Sequence, residues 1–493
     1  MLWASFLIFA ARRLLFMLKF LQQNSYGNLA FLRFAAGGAR LIDKRLTLCL
    51  LAATLGLPGQ TWLPPALFLA FAAIERNPLR ADANKKKLAL TWRARRIFAV
   101  ALMLAAGALW RLGPLWAVQA LPLALVAANL LLWPVEKLGQ ARYLRAARKR
   151  LAEVAPAVIG ITGSFGKTST KNILAHILAS SVPAYATERS VNTLMGLTRA
   201  IRENLRPHHR YFIAEIGTSH PGEIARICRL VEPRHGILTA IGAAHYGNFN
   251  GLDDIAAEKN ALTSAVLAAS GTMVVNATQV AEKYRREGTV ELKDGDITEV
   301  EITPRGISFR LSGTPVSAPV YGRHQATNIA LAWLLARALG VPEANIRAAL
   351  ATLPQTEHRL EVKNGEIAGT TVIDDGFNSN IDGFVSALET LDILGRARGG
   401  RRILVSPGMV ELGPLHDDHH RRAAEAANRT ADIVVSVAPE RIRAFTAALN
   451  GPETVEVPTF KAARAWLADH ARPADTILYE NDLPDVYEEK IRI

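Results

Sequence analysis

A glycine-punctuated turn ending in Gly166-Lys167-Thr168 carries the first chemistry legible in this chain. A short apolar run at 158–161 leads into Gly163-Ser164-Phe165-Gly166, and a helix-like pattern follows Lys167. Strand, loop, helix is the order in which a backbone wraps phosphate oxygens. Glycines allow close approach, and the helix N-terminus offers free N–H groups. The lysine neutralises phosphate charge and the Thr168 hydroxyl can hold Mg2+. Gly163, Ser164, Gly166, Lys167, Thr168 and Ser169 are therefore candidate ligands of a nucleoside triphosphate. The spacing departs from the general phosphate-loop pattern: Gly160 to Gly166 leaves five residues between them, and Gly163 to Gly166 leaves two. Glu215 ends a second apolar run, and a carboxylate at a strand end of this kind is usually functional.

The elements that position these residues are those of an α/β protein. Short apolar runs at 158–161, 211–216, 236–241 and 272–276 alternate with helical patterns, which predicts a largely parallel sheet. Residues 296–309 add β-like segments. A second α/β pattern starts near 372–375 and continues through 402–405 and 433–437. The 493 residues divide into a helical region at 1–136, a basic linker helix at 137–153, a central ATP-binding domain at 154–354 and a C-terminal α/β domain at 355–493. The two cysteines, Cys49 and Cys228, form no Cys-x-x-Cys pair, which argues against a zinc ribbon or redox motif.

Hydrophobic residues make up 50% of the chain and concentrate before Pro134. Residues 1–23 are apolar but broken by Arg12, Arg13 and Lys19, which suggests an interfacial helix. Residues 46–74 carry no charge but are interrupted by Pro58, Gly59, Pro64 and Pro65; they fit one crossing or a short re-entrant pair. Residues 97–135 contain one charge, Arg111, beside Gly113 and Pro114, and suit a tight helical hairpin turning there. The net charge is +14, with basic runs at 76–96 and 137–150 flanking the apolar stretches. That placement favours a membrane with basic flanks in the cytoplasm over nucleic acid as the partner. An inner-membrane protein with its catalytic domains in the cytoplasm is the expectation.

The motifs, taken in order, resemble the Mur ligase family. They are Thr162-Gly163-Ser164-Phe165-Gly166-Lys167-Thr168, Ala214-Glu215-Ile216-Gly217, His220-Pro221-Gly222-Glu223-Ile224, Gly242-Ala243-Ala244-His245, Gly322-Arg323-His324-Gln325-Ala326-Thr327-Asn328, His358-Arg359, Asp374-Asp375-Gly376-Phe377-Asn378-Ser379-Asn380 and Gly408-Met409-Val410-Glu411-Leu412-Gly413. The last two forms most resemble the D-alanyl-D-alanine-adding branch. The resemblance implies a central phosphate-loop ATPase domain followed by a Rossmann-like α/β domain. It also implies an ATP- and Mg2+-dependent ligase that makes an amide through an acyl phosphate. The partners it implies are a cell-wall-type carboxylate acceptor and an amino acid or peptide donor. By the same resemblance Lys167 contacts the β- and γ-phosphates, and Thr168 and Glu215 hold a first Mg2+. His245 helps bind a second, and Lys259 stands where the family has a carbamylated lysine. Asn328 contacts adenine, Arg359 and Asp375 close on the γ-phosphate and ribose, and Asn378 meets the acceptor peptide. Lys167, Lys259, His245 and Arg359 make up the catalytic set.

Some positions depart from the family pattern. Ala261 stands where a Glu is common, Phe377 where a Tyr is expected, and Ile381 where a Pro is expected. The tail reads Tyr479-Glu480-Asn481-Asp482 where the peptidoglycan enzymes usually carry a Lys-Gly-Ser-Arg type segment, and this acidity favours an amine over a carboxylate. Apolar segments stand where the family's uridine-diphosphate-sugar domain is expected, so the acceptor is expected at the membrane. A poly-γ-glutamate-type capsule synthetase and a membrane-tethered ATP-binding scaffold without ligase activity are the alternatives. The group His416, Asp417, Asp418, His419 and His420 reads as a charged helix start rather than a metal site.

Overall fold

Runs of three to six residues, mostly β-branched and aliphatic, build the two main sheets. The computed structural model describes residues 1–24, 26–37, 44–56, 62–74, 88–242, 249, 251–376, 380–410 and 412–481. Among these residues, Met1–Arg142 forms one compact unit, and residues 143–481 belong to the other.

The first unit is helical: α1 (Leu2–Gln23), α2 (Asn28–Gly37), α3 (Lys44–Gly56), α4 (Leu63–Ile74) and α5 (Trp92–Leu131), followed by the start of α6 (Trp133–Val154). Among the described residues, α5 is the element long and apolar enough to cross a membrane. It is not straight. Gly113 has φ 77° and ψ 175°, a conformation in practice open only to glycine. The limbs on either side fold back on each other. Arg93 donates to Asn129 Oδ1 at 3.3 Å and Arg96 pairs with Glu136 at 2.5 Å. These partners would stand about 50 to 60 Å apart along one continuous helix. The hairpin thus turns where Arg111, Gly113 and Pro114 predict. Residues 46–74 give two short helices, α3 and α4, each about 20 Å long and below the roughly 30 Å of a bilayer core. The expected interfacial helix at 1–23 is a correction. Every side chain from Phe16 to Leu21 is buried, and Phe68 meets Phe6 edge-on at 5.3 Å and stacks with Phe9 at 5.7 Å. Its apolar residues surround the helix, so packing against α4 and α5 satisfies them better than one lipid-facing stripe.

The second unit begins with β1 (Ala157–Thr162), α7 (Lys167–Ala179), β2 (Ala184–Ala186), α8 (Leu194–Asn204), β3 (Tyr211–Glu215), α9 (Glu223–Val231), β4 (His235–Leu238), α10 (Leu252–Ala268), β5 (Met273–Asn276) and β6 (Val290–Leu292). These strands form a parallel sheet in the order β2-β3-β1-β4-β5-β6. β1 is central and pairs with β3 on one side and β4 on the other. The chain therefore reverses direction across the sheet beside β1, and the crevice at its C-terminal end is the expected ligand site of such a sheet. Helices cover both faces, so the strands read as nearly continuous apolar runs. A three-stranded antiparallel sheet, β7 (Ile297–Thr303), β8 (Gly306–Leu311) and β9 (Thr314–Ala318), precedes α11 (His324–Ala338) and α12 (Glu343–Ala351).

The C-terminal domain holds β10 (Glu361–Asn364), β11 (Thr371–Asp375), α13 (Ile381–Arg398), β12 (Arg402–Ser406), α14 (His416–Thr430), β13 (Ile433–Val437), α15 (Arg443–Thr446), β14 (Glu453–Val457), α16 (Phe460–His470) and β15 (Thr476–Glu480). The sheet order is β10-β11-β15-β12-β13-β14, with only β10 antiparallel. The last strand inserts between β11 and β12, which places Glu480 opposite Asp375 in register.

Candidate active site

The phosphate loop joins β1 to α7, and two of its glycines are sterically required. A Cβ on Gly163 would lie 1.9 Å from Thr239 Oγ1, and one on Gly166 would lie 2.6 Å from Asn328 Oδ1. Gly166 also has φ 80° as the N-cap of α7. Ser164 fixes the loop from the side, since its Oγ lies 2.9 Å from both the O and the N of Gly242. Lys167 turns back over the loop and donates to Gly163 O at 2.7 Å and Ser164 O at 3.3 Å. Burial pushes its amine down to about 8; Glu215 opposes that shift and Arg359 adds to it.

Glu215 ends β3 and is 1% exposed. Its Oε2 accepts from Thr168 Oγ1 at 3.0 Å and faces Lys171 Nζ at 3.4 Å, while its Oε1 accepts from Asn192 Nδ2 at 3.0 Å. Lys171 also donates to Arg189 O, and burial lowers its pKa against the opposing pull of Glu215. Lys171 and Asn192 escaped the sequence reading. The available signal was that Lys171 lies one turn beyond Lys167, on the face that looks back at the strand ends.

Lys259, on α10, is 5% exposed. Burial pushes its amine down to about 7; the Lys167 charge adds to this and Glu258 opposes it. Glu258 itself accepts from Gly222 N at 2.6 Å and Ile224 N at 2.7 Å, which caps the start of α9. The His-Pro-Gly-Glu-Ile motif is thus an architectural joint that fixes α10. Glu223 completes it by accepting from Ser219 N and His220 N.

Arg359 is held among charges from both domains. Burial lowers its pKa, while Asp375 and Glu215 act in the opposite direction. His324 is pushed down to about 4 by burial and by Arg359. Burial pushes Asp375 up to about 7, with Arg359 opposing; its Oδ1 accepts from Leu360 N at 3.2 Å, and Glu480 hydrogen-bonds to it. Glu480 is fully buried, so it faces Asp375 rather than an incoming substrate. Asn328 is buried on α11, accepting from Thr170 Oγ1 at 3.2 Å and donating to Gln325 Oε1 at 3.1 Å. Ser169, Asn172, Tyr321, Gln325, Thr356 and Arg359 line a narrow cleft beside it.

His245 and Asn378 lie outside the described residues, as do Phe377, Glu411 and Asp482. His420 belongs to a helix start: its Nε2 accepts from Met409 N at 3.1 Å, and its Nδ1 lies 2.7 Å from His416 O.

These residues fit a magnesium nucleotide. The loop offers a glycine cradle and a buried amine, and Thr168 and Glu215 offer the hard oxygens Mg2+ prefers.

Residues 161–336 match the Mur ligase middle domain, and residues 358–479 match the Mur ligase glutamate ligase domain. The UDP-N-acetylmuramoyl-tripeptide–D-alanyl-D-alanine ligase of Mycobacterium leprae is 28% identical over 387 residues, covering 69% of this chain and 73% of that protein. The enzyme of that name from Escherichia coli is 28% identical over 358 residues, covering 69% and 77%. Among solved structures, MurF from Acinetobacter baumannii aligns with a TM-score of 0.60 at 24% identity, over 70% of this chain and 77% of that one. MurF from Thermotoga maritima in complex with ADP aligns with a TM-score of 0.58 at 23% identity, over 70% and 80%. With both of its α/β domains matched, the chain belongs to the Mur ligase family, as an ATP- and magnesium-dependent ligase of the MurF type.

Proposed function

We propose that this ligase works at the cytoplasmic face of a membrane, joining an amino acid or short peptide such as D-alanyl-D-alanine to a carboxylate on a membrane-linked cell-wall-type precursor. The observation that carries the membrane part is the α5 hairpin. Its limbs, 92–112 and 114–131, are each about 30 Å long, the thickness of a bilayer core. Exposed tryptophans mark both ends, Trp92 and Trp133 at the base and Trp110 and Trp116 at the tip. Arg95, Arg111 and Lys137 stack on Trp92, Trp110 and Trp133. This is the aromatic belt of an interfacial anchor at each boundary. Two limbs return the chain to its starting side, where ATP is available.

ATP supplies the phosphoryl group that turns the acceptor carboxylate into an electrophile. The chain's own residues orient and neutralise. Lys167 brings a buried positive charge to the loop, Thr168 and Glu215 fix the metal-facing edge, and Arg359 brings the C-terminal domain's charge to the same place. Catalysis of this kind is positioning and electrostatic stabilisation.

The test is to supply purified protein with ATP, D-alanyl-D-alanine and either a soluble nucleotide-linked tripeptide or its lipid-linked counterpart in vesicles. Faster amide formation on the lipid-linked acceptor is expected. Turnover confined to the soluble acceptor refutes the membrane part. ADP release independent of any acceptor refutes the ligase reading.

A further inference from the structure

We infer that one stripe of α6 lies against an anionic membrane surface. The inference rests on the membrane reading of the α5 hairpin and adds a second, separable contact. Two opposite faces of α6 carry the argument. On one, Leu144, Ala147, Leu151 and Val154 pack into the core that includes Leu197, Ile201 and Phe212 of the nucleotide domain. On the other, Val135, Leu138, Arg142, Arg145 and Lys149 recur at steps of three and four, about 180° around the helix from the first set.

All five side chains of the second stripe are exposed. Leu138 is 68% exposed and the Lys149 side chain 80%. The stripe changes character along its length. Next to the hairpin it is apolar, with Val135 and Leu138, and beyond that it carries three cations. No carboxylate interrupts it: Glu136 is paired with Arg96, and Glu153 lies past Lys149 at 4.0 Å. An apolar start at a tryptophan-marked boundary followed by a cationic run matches acyl chains giving way to phosphate headgroups. A protein partner has no reason to follow that gradient.

The test uses the full chain with Cys49→Ser, which leaves buried Cys228, and a dye on Ala146→Cys beside the stripe. Energy transfer to a headgroup-labelled lipid is read on neutral phosphatidylcholine vesicles and on vesicles with about 30% phosphatidylglycerol. Transfer is expected to be several-fold higher on the anionic vesicles. It is expected to fall to the neutral level at about 0.5 M salt, and in the Arg142→Glu, Arg145→Glu, Lys149→Glu triple variant, with flotation unchanged. The triple alanine variant should fall partway, which guards against misfolding of the charge reversal. Transfer that ignores lipid charge, salt and substitution overturns the inference. So does a triple variant that loses self-association instead of lipid proximity. A wild-type chain that does not float at high salt refutes the hairpin and the stripe together, whereas a floating chain without charge-dependent transfer refutes the stripe alone.

Discussion

Thr168 Oγ1 donates to Glu215 Oε2 at 3.0 Å, and the same carboxylate oxygen faces the buried ammonium of Lys171 at 3.4 Å. One carboxylate therefore links the first two turns of α7 to the end of β3. Removing Thr168's hydroxyl costs a charge-assisted hydrogen bond, about 2 kcal/mol. Removing the carboxylate in Glu215→Ala leaves Lys171 buried without its partner, about 3 to 5 kcal/mol. Denaturant unfolding should rank Glu215→Ala well below Thr168→Ala in stability, with ADP release lost in both. Equal stabilities would show that Lys171 does not depend on Glu215.

Lys167 and Lys259 predict a pH dependence with a defined sign. Unfolded, both amines hold a proton up to about 10.5; folded, only to about 8 and about 7. Between about 7 and 10.5 the unfolded chain binds more protons, so folding stability rises with pH there and is lowest below 7. Thermal unfolding should give a higher midpoint at pH 9 than at pH 6.5. Lys259→Met should flatten that slope, and a slope unchanged by the substitution would show that Lys259 is not the source.

The neutral fraction of the Lys259 amine near pH 7 is also what reaction with CO2 requires. Protein equilibrated with 13C-bicarbonate should show a carbamate carbon by NMR, absent in Lys259→Arg. A signal that survives that substitution assigns the carbamate elsewhere.

Asp375 behaves oppositely. Its carboxyl titrates near 7 when folded and near 3.8 when unfolded. The folded state holds the extra proton between those values, so the group's contribution falls as pH rises from about 4 to 7 and stays lost above. Asp375→Asn, which keeps an acceptor for Leu360 N–H, should stabilise the protein most at pH 8 while slowing turnover. Destabilisation at pH 8 would mean that the Arg359 charge needs an ionised Asp375.

Gly113 offers a test of the hairpin turn. A Cβ there meets no atom within 4 Å, so Gly113→Ala carries only the cost of its backbone conformation, about 1 to 3 kcal/mol. A flexible bifunctional thiol cross-linker, long enough to replace the Arg93 side chain, should join Arg93→Cys to Asn129→Cys readily in the parent and slowly in the Gly113→Ala background. Equal rates would place the turn elsewhere.

Local signals were the legible ones. Gly166-Lys167-Thr168 announces its own loop because strand, turn and helix start lie within a dozen residues, and Gly113-Pro114 beside Arg111 breaks an otherwise apolar run in the same way. Lys171 was not legible. It reads as an ordinary helix cation, and its burial depends on Glu215, a strand and a helix away. Asn192 sits in a loop with no pattern of its own, and only the fold brings it to Glu215. The helix at 1–23 was misread because an apolar helix packed inside a bundle and one resting on lipid share a composition. The acidity of the 479–482 stretch could not reveal that Glu480 faces inward, since that follows from β15 inserting beside β11.

Glu258 and Lys259 are neighbours on α10, one gripping the start of α9 and the other feeling the charge of Lys167. Such adjacency makes the helix register a rigid gauge. Deleting one residue from the part of α10 before Glu258 turns the buried Ile255 and Ala256 away from their places. Deleting one between this pair and the packed end of the helix rotates them by about 100° relative to everything behind. Insertions and deletions are therefore ruinous on either side of the pair, and the length of α10 from Ile255 onward is itself a functional constant of this enzyme.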